Sequence, residues 1–300
     1  MARLRTGPAR RARSTSSGAQ RAVPRGRRYP AADPESPRRP HIGPILITGA
    51  DGLIGSILRR ELADLELRLL TRAPIEAPSH VADIAELDAI APAFAGVEAV
   101  IHLAAESSPQ AAWSELVGPN VIGLRNIFEA ARLAGVGRVV YASSTHVVAG
   151  HERAAAPALY ELDDTRRFGV DVPVRPDSLY GATKAFGEVL GRYYADAHGL
   201  AVICLRIGWV WGGPDEEFLG GQDERDLADW QRQFHRRSRA IWLSQRDCGQ
   251  LFRRALAADV RWAVVYGTSD NPRQIWDLEP ARRLLGFRPQ DSAPVEDGPD

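Results

Sequence analysis

Cysteine, lysine and methionine are nearly missing from this chain. Its 300 residues include two cysteines, one lysine and one methionine. Cys204 and Cys248 lie far apart and form no CxxC pair. That excludes a disulfide scaffold and a cysteine-rich zinc site, and it leads us to expect a reducing, cytoplasmic setting. No His, Asp and Glu group shows metal-ligand spacing, so no metal is expected. No apolar run approaches the ~20 residues that a membrane helix needs. A secretory signal would need an apolar core of ~7–15 residues, and none is present. Neither membrane nor metal therefore enters the reading.

Charge of one sign is missing from the chain as a whole but not from its parts. The formal net charge is zero. Residues 1–40 nevertheless hold 11 arginines against two acids, Asp33 and Glu35. The remainder carries the matching acidic excess. The first 40 residues are also rich in Pro, Ser and Ala and lack apolar periodicity. They cannot bury enough surface to offset ordering entropy, so 1–41 is expected to be a disordered Arg-rich extension. A basic arm of this kind suits contact with nucleic acid or with the acidic body. An unstructured extension is the simpler reading, and nucleic acid is not expected as a partner.

From Ile42 onward, strand and helix signals alternate. "PILIT" (44–48), "LRLLTR" (67–72), "VEAVIHLAA" (97–105), "RVVYASS" (138–144) and "AVICLRIG" (201–208) read as strands. "SILRRELAD" (56–64), "NVIGLRNIFEAARLAG" (120–135) and "LYGATKAFGEVLGRYYADAHG" (179–199) read as helices. Such alternation predicts an α/β fold with a Rossmann-type doubly wound parallel sheet. Ligands of such sheets bind beyond the carboxyl ends of the strands. The dinucleotide-binding part is expected over 42–208. Residues 209–300, with a helix at 247–259 and a strand at 262–268, are expected to be a small substrate-binding part and not a separate domain.

The stretch "ILITGADGLIG" (45–55) sets three glycines at intervals of three. Gly49 suits a tight turn after a strand. Gly52 lets backbone approach a diphosphate, and Gly55 lets the next helix pack on the strand. The helix N-terminus then offers free N–H groups to phosphates.

"YGATK" places Tyr180 and Lys184 four residues apart, on one helix face. A neighbouring ammonium favours phenolate and lowers the phenol pKa from its usual ~10. The tyrosine can then act as a base. Lys184 is the sole lysine, whereas the other 37 basic residues are arginines. A compact ammonium is not interchangeable with a guanidinium fork. At the end of the preceding strand, "ASSTH" offers Ser143, Ser144, Thr145 and His146 to position a reacting oxygen.

These motifs resemble the extended short-chain dehydrogenases/reductases, the NAD-dependent epimerase/dehydratase family. "TGADGLIG" matches the family's glycine loop, and YxxxK its catalytic pair. "ADI" (82–84) resembles the adenine-side segment, and "HLAA" (102–105) the strand end at the nicotinamide. The resemblance implies NAD or NADP contacts from Gly49, Gly52, Leu53, Ile54, Gly55, Thr71, Arg72, Asp83, Ile84, Leu103, Ala104, Ala105, Asn120, Tyr180, Lys184 and Ile207. Where NAD-preferring members carry an acid after the second strand, this chain has Thr71 and Arg72. Arg72 can pair with a 2′-phosphate, which favours NADP.

Within the family, "ASSTHVVAG", "DVPVRPDSLYGATKAFGE" (171–188), "AIWLSQRD" (240–247) and the Trp-bearing tail are most similar to the uronate dehydrogenases. That implies oxidation of a uronate-like sugar acid or an aldose at C1 to a lactone, with Tyr180 as base and Lys184, Ser144 and Thr145 assisting. Substrate contacts would come from Ser107, Ser144, Thr145, His146 and Arg237, the last as a carboxylate clamp. Homo-oligomers are common among such relatives, so one is expected here. Several features depart from the pattern. Trp209 stands where a serine is expected, Thr145 where an asparagine is expected, and the segments 150–167 and 220–233 are longer. The rival readings are a nucleotide-sugar epimerase or dehydratase and a non-catalytic NADP-sensing protein.

Overall fold

Ile45–Thr48 forms β1, and all four of its residues are buried. Such a run shows no polar alternation because both faces of its sheet are covered. The structure, a computed structural model, describes residues 43–215, 217 and 227–294. The expected extension, 1–41, and residues 220–226 of the longer segment lie outside the described residues.

After β1 come α1 (Leu53–Glu61), β2 (Leu67–Thr71), β3 (His80–Val81) and α2 (Leu87–Ile90). Then follow β4 (Ala99–His102), α3 (Trp113–Leu116), α4 (Leu124–Ala134), β5 (Arg138–Ser144) and α5 (Ala149–Ala155). The last elements are α6 (Leu179–His198), β6 (Ala201–Ile207), α7 (Asp229–Ala240), α8 (Gln245–Ala257), β7 (Trp262–Gly267) and α9 (Glu279–Leu285). All strand pairs are parallel, in the order β3-β2-β1-β4-β5-β6-β7. This is the Rossmann-type doubly wound sheet that the alternating pattern predicts. The order reverses between β1 and β4, so a crevice opens at their carboxyl ends.

Side chains alternate across each strand, which divides the core in two. On one face Ile45, Ile47, Ile101 and Leu205 pack with Ile57, Leu58, Leu251 and Phe252 of α1 and α8. On the other, Leu46, Val100, Val139 and Val202 pack with Ile127, Phe128 and Tyr194 of α4 and α6. Each such side chain contributes about 1.5–3 kcal/mol of burial. A third cluster joins Val147, Leu159 and Tyr160 to Ile241, Tyr266 and Trp276. It anchors the longer segment 150–167 beside β7.

Helix ends follow local chemistry. The Ser178 hydroxyl accepts from the Gly181 N–H at 3.1 Å and starts α6. Gly199, with φ +71°, stops it. The helix expected over 120–135 is divided, because Val117–Gly123 forms a π-helical stretch before α4. Pro119 has no N–H to give to an α-turn there. Helix α1 begins at Leu53 rather than Ser56, because the glycine motif itself runs into the first turn. Among the described residues no helix is long and apolar enough to cross a membrane.

Candidate active site

The chain leaves β1 at Gly49 with φ +69°, a backbone region that strains other residues. A Cβ there would also lie 2.7 Å from the Ala104 nitrogen. A Cβ on Gly55 would collide with the Gly49 carbonyl oxygen, so α1 could not pack as it does. Gly52 is different. Its nearest protein atom would be the Gly49 oxygen at 3.4 Å, an ordinary contact. What a side chain at Gly52 would enter is the crevice that this residue lines. Helix α1 has no side-chain cap and no acid in its first turn. Its leading N–H groups and positive dipole end therefore suit an anion. The loop fits the diphosphate of a dinucleotide.

The crevice encloses about 240 Å³. Gly49, Gly52, Leu53, Ile54 and Gly55 form one wall, with Leu103, Ala105 and Ser107 beside them. Ser144, Tyr180, Lys184 and Ile207 line it from β5, α6 and β6. These twelve expected site residues, scattered through the sequence, meet at one place.

Lys184 is buried, and its Nζ donates to the Ala142 carbonyl at 2.8 Å. The same nitrogen lies 5.1 Å from the Tyr141 ring centroid and 5.6 Å from that of Tyr180. Burial pushes its pKa down to about 8. Burial pushes the Tyr180 phenol up to about 12. The hydrogen bond from Ser144 works the other way, and the charge of Glu106 adds to the rise. The expectation that the ammonium draws this phenol down is thus reversed, because desolvation of the phenolate outweighs the Ser144 hydrogen bond.

The structure also separates the two serines. Ser143 donates to Glu188 at 2.7 Å. Glu188 is gripped by both arms of Arg206 at 2.9 Å. Ser144 remains as the hydroxyl at the phenol.

His146 stands edge-on to Tyr180, with ring centroids 5.6 Å apart. Its Nδ1 lies 2.8 Å from Asp177. Burial works to raise the Asp177 carboxyl, but His146 and Arg153 outweigh it and the net direction is down. Thr145 is buried in the turn after β5 and does not line the crevice. The Asn120 amide is spent on other protein groups. It donates to the Glu106 carbonyl at 2.9 Å and to Thr183 at 3.0 Å, and it accepts from the Glu106 N–H at 2.8 Å. It thereby ties the loop after β4 to α6.

The remaining expected residues lie away from the crevice lining. Thr71 is buried, with its hydroxyl donated to Ser79 at 3.1 Å, and Arg72 beyond it is exposed. The exposed Asp83 accepts from the Ala85 N–H at 2.8 Å, and Ile84 is buried under α4. Ala104 packs beneath Gly49. Arg237 is paired with Glu152, its Nε at 2.6 Å and Nη2 at 3.2 Å from the carboxylate. Trp209 bridges to Trp242 and meets the rings of Trp211 and Phe234.

Sequence reasoning missed Glu106, Glu152, Asp177 and Glu188. Asp177 had a signal, an acid directly before the Ser178 cap of a helix. Glu188 closes the run quoted over 171–188, and Glu106 and Glu152 sit in no motif.

Residues 45–249 match a family model described as the NAD dependent epimerase/dehydratase family. The chain is 37% identical to an NAD-dependent glucose-6-phosphate dehydrogenase of Haloferax volcanii, over 83% of this chain and 94% of that protein. It is 38% identical to an L-arabinose 1-dehydrogenase (NAD(P)(+)) of the same organism, over 83% and 97%. Among solved structures, it is similar to a mutant uronate dehydrogenase from Agrobacterium tumefaciens complexed with NAD. The TM-score is 0.68 and the identity 31%, covering 84% of this chain and 86% of that one. All three are dehydrogenases, so the rival epimerase, dehydratase and sensor readings gain nothing from them.

Proposed function

The chain belongs to the NAD dependent epimerase/dehydratase family, and on that premise we propose that it oxidises a sugar or sugar acid at its C1 hydroxyl to a lactone. The observation that carries this reading is the buried Tyr180–Lys184 pair, with Ser144 on the phenol, facing the glycine loop across one crevice. A bound NAD or NADP supplies the hydride acceptor.

The chain's own residues handle the proton. Burial holds phenol and ammonium toward their neutral forms. Tyr180 serves as base only after its phenol has lost its proton, which rising pH favours. The phenolate accepts the C1 hydroxyl proton, while the Ser144 hydroxyl holds the same oxygen in place. His146, fixed by Asp177, and Ser107 are assigned to the ring hydroxyls. Residues from 209 onward supply the substrate side.

Three finer points belong to the same reading. Arg72 is exposed just past β2, where no acid stands, and this favours NADP. Arg72→Ala should lower the preference for NADP over NAD without changing kcat. Exposed Leu133, Phe186, Val189 and Tyr193 on α4 and α6 favour a homo-oligomer. Free, buried Cys204 and Cys248 fit the cytoplasm.

The test is a panel of aldoses and uronic acids with each dinucleotide, read at the reduced-nicotinamide absorbance band. Turnover of at least one sugar supports the reading. Cofactor binding with no turnover of any sugar refutes it.

A further inference from the structure

Arg237 falls where a carboxylate clamp is expected, yet its guanidinium already holds a carboxylate. Glu152 of α5 takes both Nε and Nη2. Glu152 is fully buried, and the Tyr160 hydroxyl donates to it at 2.7 Å. Arg237 also lies in the field of Asp177, the partner of His146. Arg153, the chain neighbour of Glu152, lies 3.2 Å from Asp177, so the cluster stands behind His146, outside the crevice lining but on the His146 side of Tyr180.

Nearby cations are matched in the same way. Arg153 lies 3.2 Å from Asp177, and Arg206 is paired with Glu188. A further acid, Glu106, acts on the phenol from the loop after β4. A sugar carboxylate entering here would have to draw Arg237 from Glu152, leaving a buried carboxylate without its cation. Breaking one partner out of a buried ion pair is strongly unfavourable. A neutral hydroxymethyl group asks for no such exchange.

We propose that Glu152 is a specificity-determining residue, which neutralises Arg237 and makes this site select neutral aldoses over the uronic acids of the same ring stereochemistry. The inference rests on the proposed sugar-oxidising role for its turnover arm. Its binding arm stands without turnover. Glu152 lies in the segment 150–167, which is longer than the family resemblance leads one to expect, so the device is a feature of this chain.

The probes are two pairs that differ at C6: D-glucose with D-glucuronate, and D-galactose with D-galacturonate. For the wild-type enzyme, kcat/KM for an aldose should exceed that for its uronate by about tenfold or more, the worth of one charge-assisted hydrogen bond. Glu152→Gln keeps the shape and one acceptor oxygen but removes the neutralising charge. It should narrow the ratio by about tenfold, mainly through a lower uronate KM. Adding Arg237→Gln should abolish that gain, which a merely structural effect of Glu152 would not require. Calorimetric titration of the same sugars onto the NADH-saturated protein gives the parallel binding ratio. Failure of all sugars to turn over would refute the dehydrogenase reading while the calorimetric ratio still decides this one. Tighter binding or faster oxidation of uronates by the wild type would overturn the proposal. So would a Glu152→Gln variant, folded by its circular dichroism, whose ratio is unchanged.

Discussion

The two walls of the crevice are made of different materials. The wall at the end of β1 is backbone: a left-handed glycine, a second glycine jammed against the first, and an uncapped helix end. The opposite wall is backed by side-chain pairs that are buried or part-buried: Ser143–Glu188–Arg206, His146–Asp177 and Tyr160–Glu152–Arg237. Backbone demands recur wherever a strand must turn into a helix beneath a diphosphate. Buried ion pairs can be rearranged between relatives without changing the fold. The first wall suits a constant cofactor, and the second suits a substrate that varies.

The contrast can be broken most sharply at Lys184. Lys184→Arg should lower kcat by about a hundredfold or more. A guanidinium is larger and cannot give up its proton in this pocket between Tyr141 and Tyr180. Cofactor affinity, read by NADH fluorescence, should fall far less. The next largest effect is expected on stability. Glu188→Ala leaves Arg206 buried without its carboxylate and should cost about 3–5 kcal/mol in denaturant unfolding.

The glycines sharpen the comparison from the other side. Gly55→Ala forces the Gly49 carbonyl aside and should lower Tm as well as cofactor affinity. Gly52→Ala meets nothing closer than 3.4 Å in the protein. It should leave Tm unchanged and weaken NADH binding alone. A fall in Tm for Gly52→Ala would mean that the space is structural. An effect confined to acid pH is expected at His102, which hydrogen-bonds Thr48 at 2.7 Å. Burial, and then the charge of Lys184, push its pKa from 6.5 down to about 3. The folded state excludes a proton that the unfolded chain takes up. The resulting stability is full above pH 6.5 and is lost as pH falls toward about 3. His102→Gln should flatten acid unfolding over that window.

What the sequence made legible follows the same division. Strand β5 occupies 138–144 as read, because an apolar run ending in two serines has one reasonable register. Helix α6 could be placed because Gly199 ends it. The glycine loop carried its own geometry, since φ > 0 and close approach are properties of glycine itself. Helix α5 had no such signal, and "AGHERAA" gives little apolar period. Glu152 and Arg237 are 85 residues apart in a chain crowded with arginines, so nothing local could pair them. The sign of the shift at Tyr180 was also illegible. The neighbouring lysine is visible in YxxxK, but the burial that raises the phenol exists only once β5, β6 and α6 have packed.

The central claim is that Tyr180, paired with Lys184, is the base for sugar oxidation. It is tested most directly by kcat/KM for an oxidisable sugar across the neutral and alkaline range, in the wild type and in Tyr180→Phe. The account predicts a wild-type profile that rises with pH into the alkaline range, because burial holds the Tyr180 phenol above its usual value, and loss of turnover in Tyr180→Phe while NADH still binds. A Tyr180→Phe enzyme that kept the wild-type rate and the same alkaline rise would contradict it.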